Sequence, residues 1–274
     1  MLSTVVAVVT QQQKSARFRE LHQSGTFVIP NPWDVGSAKL LESFGFQALA
    51  TTSSGMAYAM GAVDGGVGLD DVLDHVRRLT EATSVPLSVD LENGHGAEPH
   101  HTAVAVLRAA DAGAVGGSIE DYDHERGIYG LDLAVERVRA AVNAAHSLSF
   151  RFTLTARAEN LIRGKPDLVD TIARLQAYEE AGADVLYAPG LRDADEVRTV
   201  CHAVSKPVNV LAHSGLTVAA IAEAGARRIS VGGGLTWAAV GGLQRAAMEI
   251  LAEGTFGAFA DSPQYSEIKE WLGA

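Results

Sequence analysis

The chain has 274 residues, 47% of them apolar, enough to bury one large core or two ordinary ones. Its formal charge of −11 argues against nucleic acid or an anionic membrane as partner, because those surfaces select basic footprints. Cys201 is the single cysteine, which excludes an internal disulfide and a cysteine-rich zinc site and suits a reducing cytoplasm.

At the N-terminus, Val5 to Val9 is too short to span a bilayer, follows no basic segment and passes into polar Gln11 to Lys14, so it does not read as a signal peptide. Residues 1–25 are expected to form a helix ahead of the first strand. Eight β-prone runs follow: Thr26–Pro30, Gln47–Thr52, Pro86–Leu91, Val115–Glu120, Arg151–Arg157, Asp184–Ala188, Pro207–Leu211 and Arg228–Val231. The stretches 34–44, 69–82, 99–112, 131–146, 166–181, 193–203, 217–223 and 237–252 carry apolar residues at three- and four-residue spacing, as in Leu131, Val135, Val138 and Val142. Several end in a glycine before the next strand, as in Ala181-Gly182-Ala183, where glycine takes the left-handed cap readily. A last helix is expected over 263–273, and its Tyr265, Ile268, Trp271 and Leu272 invite docking on another subunit.

Eight unbroken strand–helix units predict one parallel (β/α)8 TIM barrel over 1–274, since each parallel crossover needs a helix and closure removes both sheet edges. A doubly wound open sheet is the rival. It ordinarily shows a glycine-rich turn after its first strand, whereas Val28-Ile29-Pro30-Asn31-Pro32-Trp33 is proline-rich.

In such barrels the chemistry sits at the C-terminal ends of the strands. The third strand exits through Asp90 and Glu92, which period-two alternation turns to one side, and the fourth adds Glu120 and Asp121. Carboxylates gathered in one mouth repel unless a positive group joins them. An oxygen-rich cluster without cysteine suits a hard cation, Mg²⁺ or Mn²⁺. Arg157, at the fifth exit beside Glu159, offers a planar fork for a substrate carboxylate. After the second strand, Ser53, Ser54 and Gly55 offer backbone amides to an oxyanion. His95 and His213 follow the third and seventh strands, where they could shuttle protons or serve as ordinary loop residues. Gly232-Gly233-Gly234 either binds phosphate or only turns the chain. Lys39, Lys165 and Lys206 fall outside the expected mouth, which excludes a Schiff-base aldolase.

Taken together, Pro30-Asn31-Pro32-Trp33-Asp34, Thr51-Thr52-Ser53-Ser54-Gly55, Asp90-Leu91-Glu92-Asn93-Gly94-His95-Gly96, Ser118-Ile119-Glu120-Asp121, Ala156-Arg157-Ala158-Glu159 and Gly215-Leu216-Thr217 resemble the isocitrate lyase and phosphoenolpyruvate mutase superfamily. The resemblance spans nearly the whole chain. It implies a barrel that binds Mg²⁺ beside a 2-oxo acid and assembles as a dimer or tetramer with its eighth helix exchanged. It also implies that Asp90, Glu92, Glu120 and Asp64 organise the metal. Trp33, Ser53, Ser54, Gly55, Asp90, Arg157 and His213 would meet the substrate, with Arg157, Glu120 and His95 as candidate catalytic groups. Glu92 stands where aspartate is commoner. The loop Tyr122-Asp123-His124-Glu125-Arg126-Gly127-Ile128-Tyr129-Gly130 lacks the cysteine of members that cleave isocitrate or methylisocitrate, which speaks against those activities. Its charge and two glycines predict a lid that closes over ligand.

The expected function is therefore a Mg²⁺-dependent lyase that breaks or forms a carbon–carbon bond beside a small 2-oxo acid, through an enolate. Hydrolysis or decarboxylation of an oxaloacetate-like diacid, or phosphorus–carbon chemistry in the same pocket, is the near alternative. A barrel that binds a 2-oxo acid without turnover is the alternative of another class.

Overall fold

A computed structural model describes residues 9–273. The expectations for residues 1–8, including most of the Val5 to Val9 run, lie outside the described residues. The chain opens with α1 (Gln11–Leu21), β1 (Phe27–Ile29), α2 (Val35–Ser43), β2 (Leu49–Ala50), α3 (Ser53–Ala59), α4 (Leu69–Ala82) and β3 (Leu87–Asp90). It continues through α5 (Pro99–Asp111), β4 (Gly116–Glu120), a hairpin of β5 (Tyr122–Asp123) and β6 (Gly127–Ile128), α6 (Leu131–His146) and β7 (Thr153–Arg157). The remainder is α7 (Leu168–Glu180), β8 (Val185–Tyr187), α8 (Ala194–Ala203), β9 (Val208–Leu211), α9 (Val218–Glu223), β10 (Arg228–Ser230), α10 (Gly234–Glu253), a 3-10 turn (Gly257–Asp261) and α11 (Tyr265–Trp271).

Eight strands form one sheet in the order β1-β10-β9-β8-β7-β4-β3-β2, with every pairing parallel. The ring closes between its end strands, where the Ala50 amide donates to the Pro30 carbonyl at 3.1 Å. This is the expected (β/α)8 barrel. Strand alternation divides polar from apolar residues. Ser88 and Asp90, Ser118, Arg157, Asn209, and Arg228 and Ser230 line an interior cavity. Leu87, Ile119, Leu154, Ala156, Val208, Val210 and Ile229 point the other way and form the main core with the helices.

α1 closes the N-terminal end of the barrel. Thr10 caps it through the amide of Gln13, and Phe18, fully buried, packs with Ile29, Ala48 and Val115. Gly116 makes room for this plug: a Cβ there would lie 2.7 Å from a Phe18 ring carbon. Lys14 reaches the carbonyls of Thr80 and Thr83 at 3.0 and 2.6 Å, tying α1 to the end of α4.

His22, just beyond α1, is buried and bonds the Phe18 carbonyl through Nδ1 at 2.7 Å. Burial, then the neighbouring Arg228, push its pKa down to about 3. An unfolded histidine protonates near pH 6.5, so below that pH the unfolded state binds a proton that the folded state refuses. Stability from His22 is therefore complete above pH 6.5 and declines as pH falls towards 3, by about 1.4 kcal/mol per pH unit. Urea unfolding across pH 7.5 to 4.5 is expected to show this slope as the difference between wild type and His22→Gln. Parallel pH curves for the two proteins would contradict it.

The terminal helix α11 meets its own chain on one side and leaves Tyr265 and Leu272 exposed on the other. α11 docks on its own chain: Trp271 meets Phe44 edge-on at 5.7 Å, and Lys39 donates to the Leu272 carbonyl at 3.0 Å. It is α10, the helix of the eighth unit, that lies largely uncovered, with Thr236 its one buried residue. Among the described residues, no helix is long and apolar enough to cross a membrane.

Candidate active site

The cavity at the C-terminal mouth measures about 330 Å³. Asn31, Ser53, Ser54, Asp64, Asp90 and Arg157 are among its wall residues, with Arg163, Tyr187 and Arg228, and no lysine lines it. Strand register explains its centre. Glu120 pairs with Arg157, and Arg157 pairs with Tyr187. Arg157 consequently holds three carboxylates: Nη1 to Asp90 Oδ1 at 3.0 Å, Nη2 to Glu120 Oε2 at 3.1 Å, and Nη2 and Nε to Glu159 Oε1 at 2.9 and 3.0 Å. Its guanidinium also lies 5.1 Å from the Tyr187 ring centre. The positive group that joins the acidic strand ends is thus a residue of the chain itself, and the fork expected to face a substrate carboxylate is already engaged by protein carboxylates.

Burial raises the Glu120 carboxyl well above its ordinary value; Arg157 opposes this, and Glu159 and Asp90 reinforce it. Asp90 accepts from the Glu92 amide at 3.2 Å and the Ser118 hydroxyl at 3.4 Å, all through Oδ1, and its own amide donates to Thr51 Oγ1 at 2.8 Å.

β3 stops at Asp90, so strand alternation does not carry Glu92 to the same side. Glu92 and His95 sit instead in a tight turn with φ of 48° and 56°, left-handed values uncommon for residues with a Cβ. Both border an adjoining hollow shared with Asn93, His101, Asp123 and His124. Burial, then Asp90 and Asp64, push Glu92 up to about 7. Burial lowers His95 against the pull of Asp90, and its Nε2 is enclosed without a partner.

The other expected residues fall in different places. Ser53 and Ser54 open α3, capped by Thr52, and their first-turn amides have no intrahelical acceptor. Gly55 faces the other way, where a Cβ would lie 2.6 Å from Thr236 and Thr52 and 3.2 Å from Trp33, so its smallness serves packing of α10 on α3. Trp33 stands behind α3, outside the cavity lining. His213 is exposed and caps its own loop by accepting from the Gly215 amide at 3.1 Å. The Gly232 and Val231 amides both donate to Asn31 Oδ1 at 2.9 Å.

Asp121 turns away from the mouth, accepting from Arg174 at 2.9 Å, Tyr178 at 2.5 Å and the Glu159 amide at 2.8 Å. The expected lid is a hairpin over the β3 and β7 exits. Asp123 accepts from the amides of Glu125 and Arg126 and from Tyr129 Oη, each at 2.9 Å, while Tyr122 stacks under Arg163 at 4.0 Å.

Sequence reading passed over Arg163, Tyr187, Asn209, Arg228 and Ser230. For all but Arg163, which lies in the turn after β7, the signal is polarity inside otherwise apolar strand runs, as Asn209 has in Val208-Asn209-Val210. Arg228 is buried: it donates to Asn209 Oδ1 at 2.8 Å and Thr155 Oγ1 at 3.0 Å, and burial lowers it to about 10.

Among the described residues, no three His, Cys, Asp or Glu side chains converge to enclose an ion. The carboxylate donors at the mouth are nevertheless all oxygens, and the repulsion from Asp90 and Asp64 that adds to burial in raising Glu92 is what a cation relieves. This fits an ion that keeps much of its water and takes one or two carboxylates directly, as Mg²⁺ does.

A closed parallel barrel with acidic strand exits around an arginine is a scaffold of the class that carries its active site at the C-terminal mouth. The chain belongs to the phosphoenolpyruvate phosphomutase family, whose model matches residues 18–251. The structure of a Burkholderia cenocepacia J2315 protein provisionally classed as a lyase/mutase is 49% identical, with a TM-score of 0.94 over 96% of this chain and 97% of that one. The 2-methylisocitrate lyase of Escherichia coli K12 is 34% identical over 182 residues, 62% of this chain and 60% of the lyase. A phosphonopyruvate hydrolase solved with oxalate and Mg²⁺ is 25% identical, with a TM-score of 0.84 over 95% of both chains. These relatives are enzymes, and a lyase or mutase type of function is supported for this one.

Proposed function

We propose that the protein is a Mg²⁺-dependent lyase acting on the carbon–carbon bond next to the carbonyl of a small 2-oxo acid or dicarboxylate. The observation that carries this reading is Asp90. It reaches the cavity from the end of β3, is held by Arg157 through one oxygen, shares the cavity wall with Asp64, and lies close enough to Glu92 for its charge to raise that carboxyl. Asp90 would hold the metal directly, with Glu92, Asp64 and Glu120 ordering its waters. When bound, the ion supplies Lewis-acid stabilisation of the negative charge that develops on the carbonyl oxygen.

The chain's own groups supply the rest. Ser53 and Ser54 offer hydroxyls and first-turn amides to the substrate carboxylate from the wall that follows β2. Arg157 neutralises Glu159 and Glu120 and so leaves the pocket able to accept an anion. Glu120, whose carboxyl burial keeps protonated to higher pH than usual, and His95, with its free Nε2, are the candidates for moving a proton. The hairpin carries no cysteine, and Cys201 lies on α8, where burial pushes its thiol up to about 11. That favours a second reading in the same pocket, decarboxylation or hydrolysis of an oxaloacetate-like diacid. One relative from Paraburkholderia xenovorans is an oxaloacetate decarboxylase, and the oxalate-bound relative hydrolyses phosphonopyruvate.

The test is a panel of 2-oxo and 2-hydroxy diacids, with products identified by NMR in the presence and absence of Mg²⁺. Oxalate and Mg²⁺ together are expected to raise the melting temperature by several degrees more than either alone, and Glu92→Gln to lower turnover by ~10-fold or more. No joint stabilisation and no change in Glu92→Gln would remove the reading. Joint stabilisation without any product would favour a barrel that only binds.

A further inference from the structure

Arg137 of α6 touches neither the cavity nor any carboxylate, yet it is among the most deeply buried side chains of the protein, 1% exposed. Its Nη1 donates to the Gly96 carbonyl at 2.7 Å and also to Ala97, and its Nη2 donates to Asn93. All of these acceptors lie in the β3-exit segment. The guanidinium also covers the Tyr129 ring at 4.5 Å. Tyr129 ends the hairpin, and its hydroxyl donates to Asp123 at 2.9 Å, while Asn93 Nδ2 donates to Asp123 at 3.0 Å and to Tyr129 Oη at 3.2 Å.

We propose that Arg137 is a positioning residue: it holds the β3-exit turn in the left-handed conformation that presents Glu92 and His95, and it binds that turn to the hairpin over the mouth. Two physical arguments support this. First, a buried cation without a counter-ion is costly, and an apolar side chain of similar volume would fill the space more cheaply. What methionine could not do is donate to backbone carbonyls at both ends of one turn while stacking on a ring. Second, Glu92 and His95 both hold positive φ, with Gly94 at 77° between them. Such conformations are costly for residues with a Cβ and persist only where the surroundings over-determine them. Arg137 provides that constraint from one side. Thr102 provides it from the other: it packs where a Gly94 Cβ would lie 2.9 Å away and donates through Oγ1 to the Arg137 carbonyl at 2.8 Å.

The tether itself is independent of the proposed reaction; its service to the site rests on that reading. The experiment compares wild type, Arg137→Met and Arg137→Lys by hydrogen exchange of segments 92–98 and 121–129, with stability followed by urea. Mn²⁺ affinity by electron paramagnetic resonance and kcat per folded molecule complete the set. In Arg137→Met both segments are expected to exchange ~10-fold faster or more while the opposite barrel wall stays unchanged, and Mn²⁺ affinity and kcat are expected to fall ~10–100-fold. Arg137→Lys keeps the charge and should fold, recovering part of the protection in 92–98. Wild-type exchange in both segments of Arg137→Lys, and of Arg137→Met if it folds, overturns the tether. Faster exchange with unchanged Mn²⁺ affinity and kcat overturns the positioning role. If wild type binds no Mn²⁺ at all, the metal reading fails, and hydrogen exchange still decides the tether.

Discussion

Arg157→Met is expected to cost about 3–5 kcal/mol of stability and to lower turnover at least ~100-fold. Arg157 meets Asp90, Glu120 and Glu159 at once, and Glu159 is fully buried. Without it, three carboxylates face each other with Arg163 as the nearest cation, 3.4 Å from Glu159 Oε2. Part of the loss is recoverable by protonation, because burial already raises Glu120 well above its ordinary value. A carboxyl whose folded pKa is raised favours the folded state at low pH and loses that advantage as pH rises through the folded value. The deficit of the variant should therefore be larger at pH 8 than at pH 6, the opposite slope to that expected from His22. Arg157→Lys should recover little, since an ammonium cannot span three acceptors in the geometry of a planar fork. Urea unfolding at the two pH values, with steady-state rates, measures both effects. Equal stability of wild type and Arg157→Met at pH 8 would show that the carboxylates do not depend on Arg157.

The same residue shows how far the sequence could be read. Carboxylates clustering at strand exits was legible, because it follows from the repeating strand–helix period and the rule that barrel chemistry sits at one face. Helices over 69–82 and 131–146 coincide with α4 and α6 because long amphipathic stripes mark their extent and a glycine, Gly68 or Gly130, precedes each. α3 is absent from the helices that periodicity predicts, because seven residues starting Ser-Ser-Gly carry too little periodicity to declare one. Glu92 was placed by extending a strand that stops two residues earlier. Only backbone geometry reveals that Glu92 and Asp90 meet through a left-handed turn. Trp33 rests on the family resemblance and His213 on its place after a strand, and neither fixes the direction of a side chain or its neighbours. Arg157 as the hub of three protein carboxylates depends on register across three strands, which local pattern does not encode.

Charging the exposed face of α10 is expected to break the protein into monomers. Leu243, Met248 and Leu251 are 65%, 55% and 80% exposed on a 20-residue helix with one buried residue, which is far from the norm for a helix of a finished barrel. A barrel also needs a helix over each strand pair, and α10, instead of covering its own barrel, packs mainly on the short 3-10 turn that follows it. A second copy of the chain would meet both needs, because each α10 would cover the face that the other leaves open. Covering a leucine contributes ~1.5–3 kcal/mol, so Leu243→Glu with Leu251→Glu should weaken association by more than ~100-fold. Light scattering after gel filtration should then find wild type at twice 28.8 kDa or more and the double variant at 28.8 kDa. Turnover should fall with assembly. The first turn of α10 packs Thr236 against Gly55 and Trp237 against Tyr58, which secures the helix that carries Ser53 and Ser54 into the cavity. A helix left unanchored along the rest of its length cannot hold that wall still. Wild type that is monomeric at micromolar concentration, or a monomeric variant with full activity, would break the link between α10 and the site.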